Sequence, residues 1–262
     1  MTRSRSVALA LVAVLAVLVG GYVAYDMILK GDDVAPLALP SASNAAVDPT
    51  AAATEDPATS ADPATSADPA ASATAATGTS GDVAGTWTVT DGSLAGYRVR
   101  EQLANLPAES DAVGRTSDVS GSLTLEGSGD AMQLTAASLE VDTTTLASDE
   151  SRRDNRLRSE GLQTDQFPTA TFVLTQPVDV PAAARTGTPS DVTLVGDLTL
   201  HGVTKSVSIP AQAQLVNGQV QVAGSITFPL ADFSITAPNI GGFIVSIADE
   251  GTLEFAVNFA KG

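Results

Sequence analysis

The sequence predicts an all-β domain of about eight antiparallel strands, a sandwich or a barrel, over residues 84–262. Three observations carry this. Apolar residues recur at every second position in stretch after stretch, the spacing that turns one face of a strand toward a core. Gly, Asn and Asp turn signals separate the stretches. One segment alone, residues 146–157, breaks the rhythm, and a short helix is expected there.

The strands follow in order. "GYRVRE" at 96–101 is the first clear one. "GSLTLEG" and "MQLTAASLEV" form a hairpin over residues 126–130, with a phase slip between Ala136 and Leu139 of the kind a bulge produces. "TATFVLT" follows at 169–175. "DLTLHGVTKSVSI" alternates at Leu198 and Leu200, turns near His201-Gly202, and resumes with Val207 and Ile209. "QVQVAGSITFPL" puts Val220, Val222, Ile226, Phe228 and Leu230 on one face. The closing "TLEFAVNFA" does the same with Leu253, Phe255, Val257 and Phe259. In the segment without alternation, Ser148 or Asp149 can cap a helix, with acidic residues early and arginines late. Such a helix would lie across one end of the strands.

Two zones precede this domain. Residues 1–30 carry Arg3 and Arg5 ahead of "VALALVAVLAVLVGGYVAY", 19 residues without a charge. That is enough to cross a bilayer core of about 30 Å as a helix. The run exceeds the roughly 7–15 residues of a secretory signal core and lacks a good cleavage site. A single-pass membrane anchor is expected, with the N-terminus cytoplasmic and the barrel extracytoplasmic. The alternative is secretion after cleavage behind Gly21. Residues 31–83 are Ala, Ser, Thr, Pro and Asp, with "DPATSA" twice in succession. They hold too little apolar surface to offset their ordering entropy and are read as a disordered linker with no part in the domain's stability.

Bulk chemistry narrows the function. The chain has 30 Asp+Glu against 13 Lys+Arg, a net charge of −17. Nucleic acid is therefore no expected partner, since phosphate binding needs a basic surface. There is no cysteine, which removes disulfides, thiolate catalysis and a lipid-modified cysteine. His201 is the sole histidine, and it stands beside a turn glycine with no second His and no serine motif. No catalytic residue, metal ligand or cofactor is assigned, and the protein is read as no enzyme. Against the acidic background, Arg152, Arg153, Arg156 and Arg158 crowd into one segment. They either hold an anionic head group or pair with Asp149, Glu150, Asp154 and Glu160 on a solvated helix.

The order "LEVDTTTLASDESRRDNRLRSEGLQTDQFPTATF", then "VGDLTLHGVTKSVSIPA", then a final aromatic-rich strand, resembles the YceI-like family. The resemblance spans Trp87 to Phe259. Its most specific parts are Arg153-Asp154 with Leu157, Phe167-Pro168 with Thr171-Phe172, and Gly196 through Thr204. It implies an exported, lipocalin-like β-barrel with one short helix that binds polyisoprenoid or other long apolar chains. On that footing Arg153, Arg156, Tyr97, Phe167, Phe172 and His201 are the candidate ligand-binding residues, Arg153 foremost, with Arg153–Asp154 as a possible salt bridge. Where the family carries Phe-x-Val-x-His, this chain has Tyr97-Arg98-Val99-Arg100-Glu101. The segment "TAPNIGGFIVSIA" is also richer in apolar residues and glycine than the family pattern. The expected function is binding of a lipid or isoprenoid at the envelope as carrier, sink or sensor; the alternative is an envelope adhesion module whose barrel is filled by its own side chains.

Overall fold

The computed structural model describes residues 34–39, 83–103, 109–237 and 244–262. Eleven strands are present among them: β1 (Gly85–Leu103), β2 (Glu109–Thr116), β3 (Val119–Glu126), β4 (Gln133–Asp142), β5 (Thr169–Leu174), β6 (Val178–Asp179), β7 (Ser190–Leu200), β8 (Val203–Val216), β9 (Gln219–Pro229), β10 (Ile244–Ile247) and β11 (Glu250–Lys261). Eight of them close a ring in the order β1-β11-β9-β8-β7-β5-β4-β3, and β3 returns to β1 through Gly85–Leu125 to Thr88–Ser122. Every pairing is antiparallel. Closure decides between the two expected architectures. It removes the free edges that a sandwich would leave. β2 and β10 attach to the upper part of β1, and β6 to the lower part of β4.

Residues paired across strands share a face, so the registers define inside and outside. Val257 faces Val222, Phe259 faces Val220 and Phe255 faces Gly224, all on the inward phase. Leu198 opposite Phe172, and Leu194 opposite Ile209, continue that phase around the ring. Trp87, Leu123, Phe172, Leu198, Leu200, Ile209, Val257 and Phe259 are buried there. The period-two faces read from the sequence therefore match the inward set. Burial at about 25 cal/mol per Å² of apolar surface is the main term holding the ring closed.

Two hairpins use residues that tolerate a left-handed backbone. Asn217 and Gly218 (φ 53° and 75°) join β8 to β9, and His201 and Gly202 (φ 51° and 74°) join β7 to β8. Positive φ at both central residues is the type I′ geometry that suits the right-handed twist of a hairpin. The β4 irregularity falls earlier than the sequence suggests. Thr124 pairs with Ala136 but Leu125 with Leu134, so Thr135 is the extra residue, and the alternation from Ala136 onward is regular.

The expected helix is present as α1 (Ser151–Arg156), widening into a π turn at Leu157–Gly161. Its cap differs from expectation. Glu150, rather than Ser148 or Asp149, accepts from the Arg152 amide at 3.1 Å. Ser148 instead supplies two hydrogen bonds to Asp154, from its amide at 3.0 Å and its hydroxyl at 2.7 Å.

Residues 34–39 differ from the expectation for residues 31–83. They lie against the barrel, with Leu39 buried and the Leu37 amide donating to Glu254 at 3.3 Å. Apart from these and Val83, residues 31–83 lie outside the described residues, as do residues 7–25, read above as a membrane anchor. Among the described residues no helix is long and apolar enough to cross a membrane.

Candidate binding mouth

The strand directions place one set of segments at the same end of the barrel. β1 finishes there at Glu101–Leu103, β7 turns into β8 at His201-Gly202, and the whole passage from Asp142 to Thr169 emerges and returns there. This passage forms a lid. Three anchors hold it. The Thr143 hydroxyl donates within reach of the Phe167 and Pro168 carbonyls (3.1 and 2.8 Å). Arg158 donates to the Thr144 and Leu146 carbonyls (3.1 and 3.0 Å). Ala147 exchanges two backbone hydrogen bonds with Arg115 on β2. Buried Leu146 and Leu162 supply the apolar underside.

Arg153 is the one cluster arginine that reaches the barrel's inner wall. Its Nη2 donates to Glu101 Oε1 at 2.6 Å and its Nη1 to Asp149, which is largely exposed. Glu101 is only 3% exposed, on the inward phase of β1 with Tyr97 and Val99. A carboxylate there needs a cationic partner, because an unpaired buried charge is strongly unfavourable. The Arg153 guanidinium is held above its ordinary pKa: burial opposes its charge, but the hydrogen bond and charge of Glu101, then of Asp149, outweigh that.

The other three arginines do different things. Arg156 pairs with Glu160 one turn along the exposed face. Arg158 ties the lid together, and the Arg152 amide takes the helix cap. The alternative of an Arg153–Asp154 salt bridge is not realised: Asp154 accepts from Ser148, and Glu101 takes the arginine. Both Nη atoms of Arg153 are held by carboxylates and Arg156 by Glu160, whereas Arg158 reaches backbone carbonyls and the Asn155 side chain. An anionic head group would meet Glu101, Asp149 and Asp154 around one arginine. Of the two readings taken from the sequence, pairing with acidic neighbours describes Arg153 and Arg156.

Two buried polar atoms beside this pair have no hydrogen-bond partner among the described residues: the Tyr97 hydroxyl and Arg153 Nε. The Tyr97 ring lies over Gly114, where an added Cβ would come within 2.3 Å of it. Burial pushes the phenol up to about 12; Arg153 pulls it down, and Asp154, Glu101 and Asp149 push it further up. A raised acid pKa stabilises the fold while the phenol is protonated. That contribution is whole below pH 10 and is lost as pH rises through about 12. Comparing wild type with Tyr97→Phe by denaturant unfolding at pH 9 and pH 12, wild type should lose about 2–3 kcal/mol more than the variant, at 1.36 kcal/mol per unit. Equal losses would contradict the buried placement.

His201 and Phe167 meet on the rim. Their rings are 4.6 Å apart at 65°, edge to face, and Phe167 covers Gly202, where a Cβ would lie 2.5 Å from the ring. His201 Nδ1 donates to the Phe233 carbonyl at 3.1 Å, since a carbonyl can only accept. Its Nε2 is buried with no partner among the described residues. Phe172 lies deeper, on the inner wall against Gly196, rather than at the mouth. The candidates from sequence thus divide: Tyr97 and Arg153 converge, Phe167 and His201 seal the rim, Phe172 lines the wall, and Arg156 faces solvent. Sequence reading missed Glu101 and Phe233. In the sequence Glu101 stands out only as a departure from the family's Phe-x-Val-x-His step. Its place on the inward phase with Tyr97 was the available signal.

The closed ring, with the passage from Asp142 to Thr169 across one end, is a lipocalin-like barrel. The chain belongs to the YceI-like family, whose model matches residues 66–259. A protein of Shewanella baltica designated UPF0312 is 36% identical over 133 residues, 47% of this chain and 63% of that protein. A UPF0312 protein of Vibrio parahaemolyticus is 33% identical over 111 residues, 40% of this chain and 55% of that one. The chain therefore matches less than two thirds of the length of either relative. Among solved structures, a polyisoprenoid-binding domain from Saccharophagus degradans, implicated in plant cell wall breakdown, superposes with a TM-score of 0.53 and 18% identity. The match covers 68% of this chain and 99% of that one, and shows the shared fold.

Proposed function

We propose that the barrel binds one long apolar molecule, a polyisoprenoid or related lipid, with an uncharged hydrogen-bonding head group at Tyr97 and Arg153. The protein would act at the cell envelope as a non-catalytic carrier, sink or sensor, held there by residues 7–25. The observation that carries this reading is the pair of unpartnered buried atoms, the Tyr97 hydroxyl and Arg153 Nε, on the inner side of a lidded mouth. A buried donor normally finds a partner, because leaving it bare costs about 1–3 kcal/mol. A hydroxyl, carbonyl or amide head could satisfy both without bringing charge into an acidic cluster. The apolar tail would gain about 25 cal/mol per Å² on leaving water.

Three isoprenoids of equal chain length test this by equilibrium titration: the alcohol, its monophosphate and the hydrocarbon. The alcohol should bind tightest. Tyr97→Phe should weaken it about three- to tenfold, the value of one neutral hydrogen bond, and leave the hydrocarbon unchanged. A monophosphate that binds more tightly than the alcohol, with the preference lost in Arg153→Ala, would reverse the head-group assignment.

A further inference from the structure

Glu254 is 2% exposed although it belongs to the outward phase of the barrel. It shares a rung with Gly96 on β1, Ser225 on β9 and, through Gly96, Arg115 on β2. The next rung on that face holds half-buried Thr252 and exposed Thr227, bonded to each other at 2.8 Å. Glu254 is covered because residues 34–39 lie over it. Around it, Arg115 pairs with Glu254 at 2.8 Å, Arg98 with Asp111 at 3.1 Å and with Glu254 at 3.7 Å, and Arg100 with Asp111 at 3.0 Å.

This network grips the covering segment by its backbone. Arg98 Nη2 donates to the Val34 carbonyl at 2.7 Å, Arg115 Nη2 donates to the Ala35 carbonyl, and the Leu37 amide donates to Glu254. Pro36, between them, has no N–H to leave unsatisfied. Alternate side chains, Leu37 and Leu39, turn toward the barrel while Pro36 and Ala38 are exposed. The segment is thus held through its backbone groups by barrel side chains, with alternate side chains turned inward. Arg115 also pairs through its backbone with Ala147 of the lid, so one residue touches both the covering segment and the lid.

We infer that the outer face of β11, β1 and β2 is a docking slot for residues 34–39 of the same chain, so the chain's first attachment to the barrel precedes residues 40–83 in sequence. The stretch read as a spacer then does not set the reach of the barrel. The link to whatever precedes the barrel is residues 26–33, which span at most about 30 Å when fully extended. Where residues 7–25 anchor in a bilayer, the barrel is held near the membrane instead of roaming on a long tether. The docking does not depend on that anchor, and membrane fractionation reads the anchor separately.

The chain has no cysteine, so two introduced ones take spin labels cleanly. Val34→Cys and Thr227→Cys place both on exposed positions. Thr227 lies two strands from Arg98, at about 4.8 Å per strand, so docking gives one narrow distance within about 20 Å. Leu37→Pro, added to this pair, removes the amide that Glu254 accepts without touching the barrel. It should broaden the distribution toward the roughly 40 Å of a free chain of about 50 residues. Trp87 fluorescence checks that the barrel stays folded. The same broad distribution in both proteins would overturn the inference. So would a short distance that vanishes on dilution with unlabelled chain, because the segment would then dock on another copy.

Discussion

Glu101→Ala is expected to destabilise the barrel by about 3–5 kcal/mol. The substitution leaves Arg153, whose side chain is 15% exposed, without its buried partner at the mouth. Breaking one side of a buried pair costs more than removing both, because the survivor remains desolvated and uncompensated. Arg153→Ala should cost a similar amount by stranding Glu101. The double variant Glu101→Leu, Arg153→Met should recover most of the loss, since an apolar pair of similar volume carries no stranded charge. Urea unfolding reads all three as shifts in midpoint at an unchanged slope. A double variant no more stable than either single one would show that the pair is not the source of the effect.

Phe233→Ala carries the second large effect. Phe233 is 1% exposed and packs edge-on against Phe228 at 4.9 Å, 77° between rings. Its carbonyl also fixes His201, which in turn meets Phe167 on the rim. Truncating a buried phenylalanine costs about 3–5 kcal/mol through lost transfer energy and the cavity left behind. In a domain of this size each kcal/mol moves the melting temperature by about 2–4 °C, so a drop of roughly 6–20 °C is expected. Because the cavity opens behind the rim, the Phe167–His201 contact should loosen as well. Broadening of the His201 ring resonances would report it. A variant that melts within a degree or two of wild type would contradict the packing described for this corner.

The sequence made the strands legible because each inward face repeats at period two. Leu253, Phe255, Val257 and Phe259 fall on the phase that pairing with β9 confirms. Barrel closure was not legible from periodicity. It depends on β1 being long enough to meet β3 low down and β2 higher up, a long-range fact that no local pattern carries. The mouth was half legible. Charge clustering drew attention to the arginines, but four neighbours on a short helix point in different directions, and only Arg153 faces the wall. Its partner lies 52 positions earlier in the chain. Residues 34–39 were hidden for a different reason. Composition averaged over 31–83 is polar and small, and it submerges a six-residue stretch whose Leu37 and Leu39 alternate as a strand does.

The central claim is that one apolar chain occupies the barrel, and native mass spectrometry of the full-length protein incubated with an isoprenoid alcohol tests it most directly. A single adduct of one lipid per chain is expected, saturating at that stoichiometry as lipid is added and weakened in Tyr97→Phe. Absence of any adduct at saturating lipid, or a ladder of adducts indifferent to Tyr97, would contradict it.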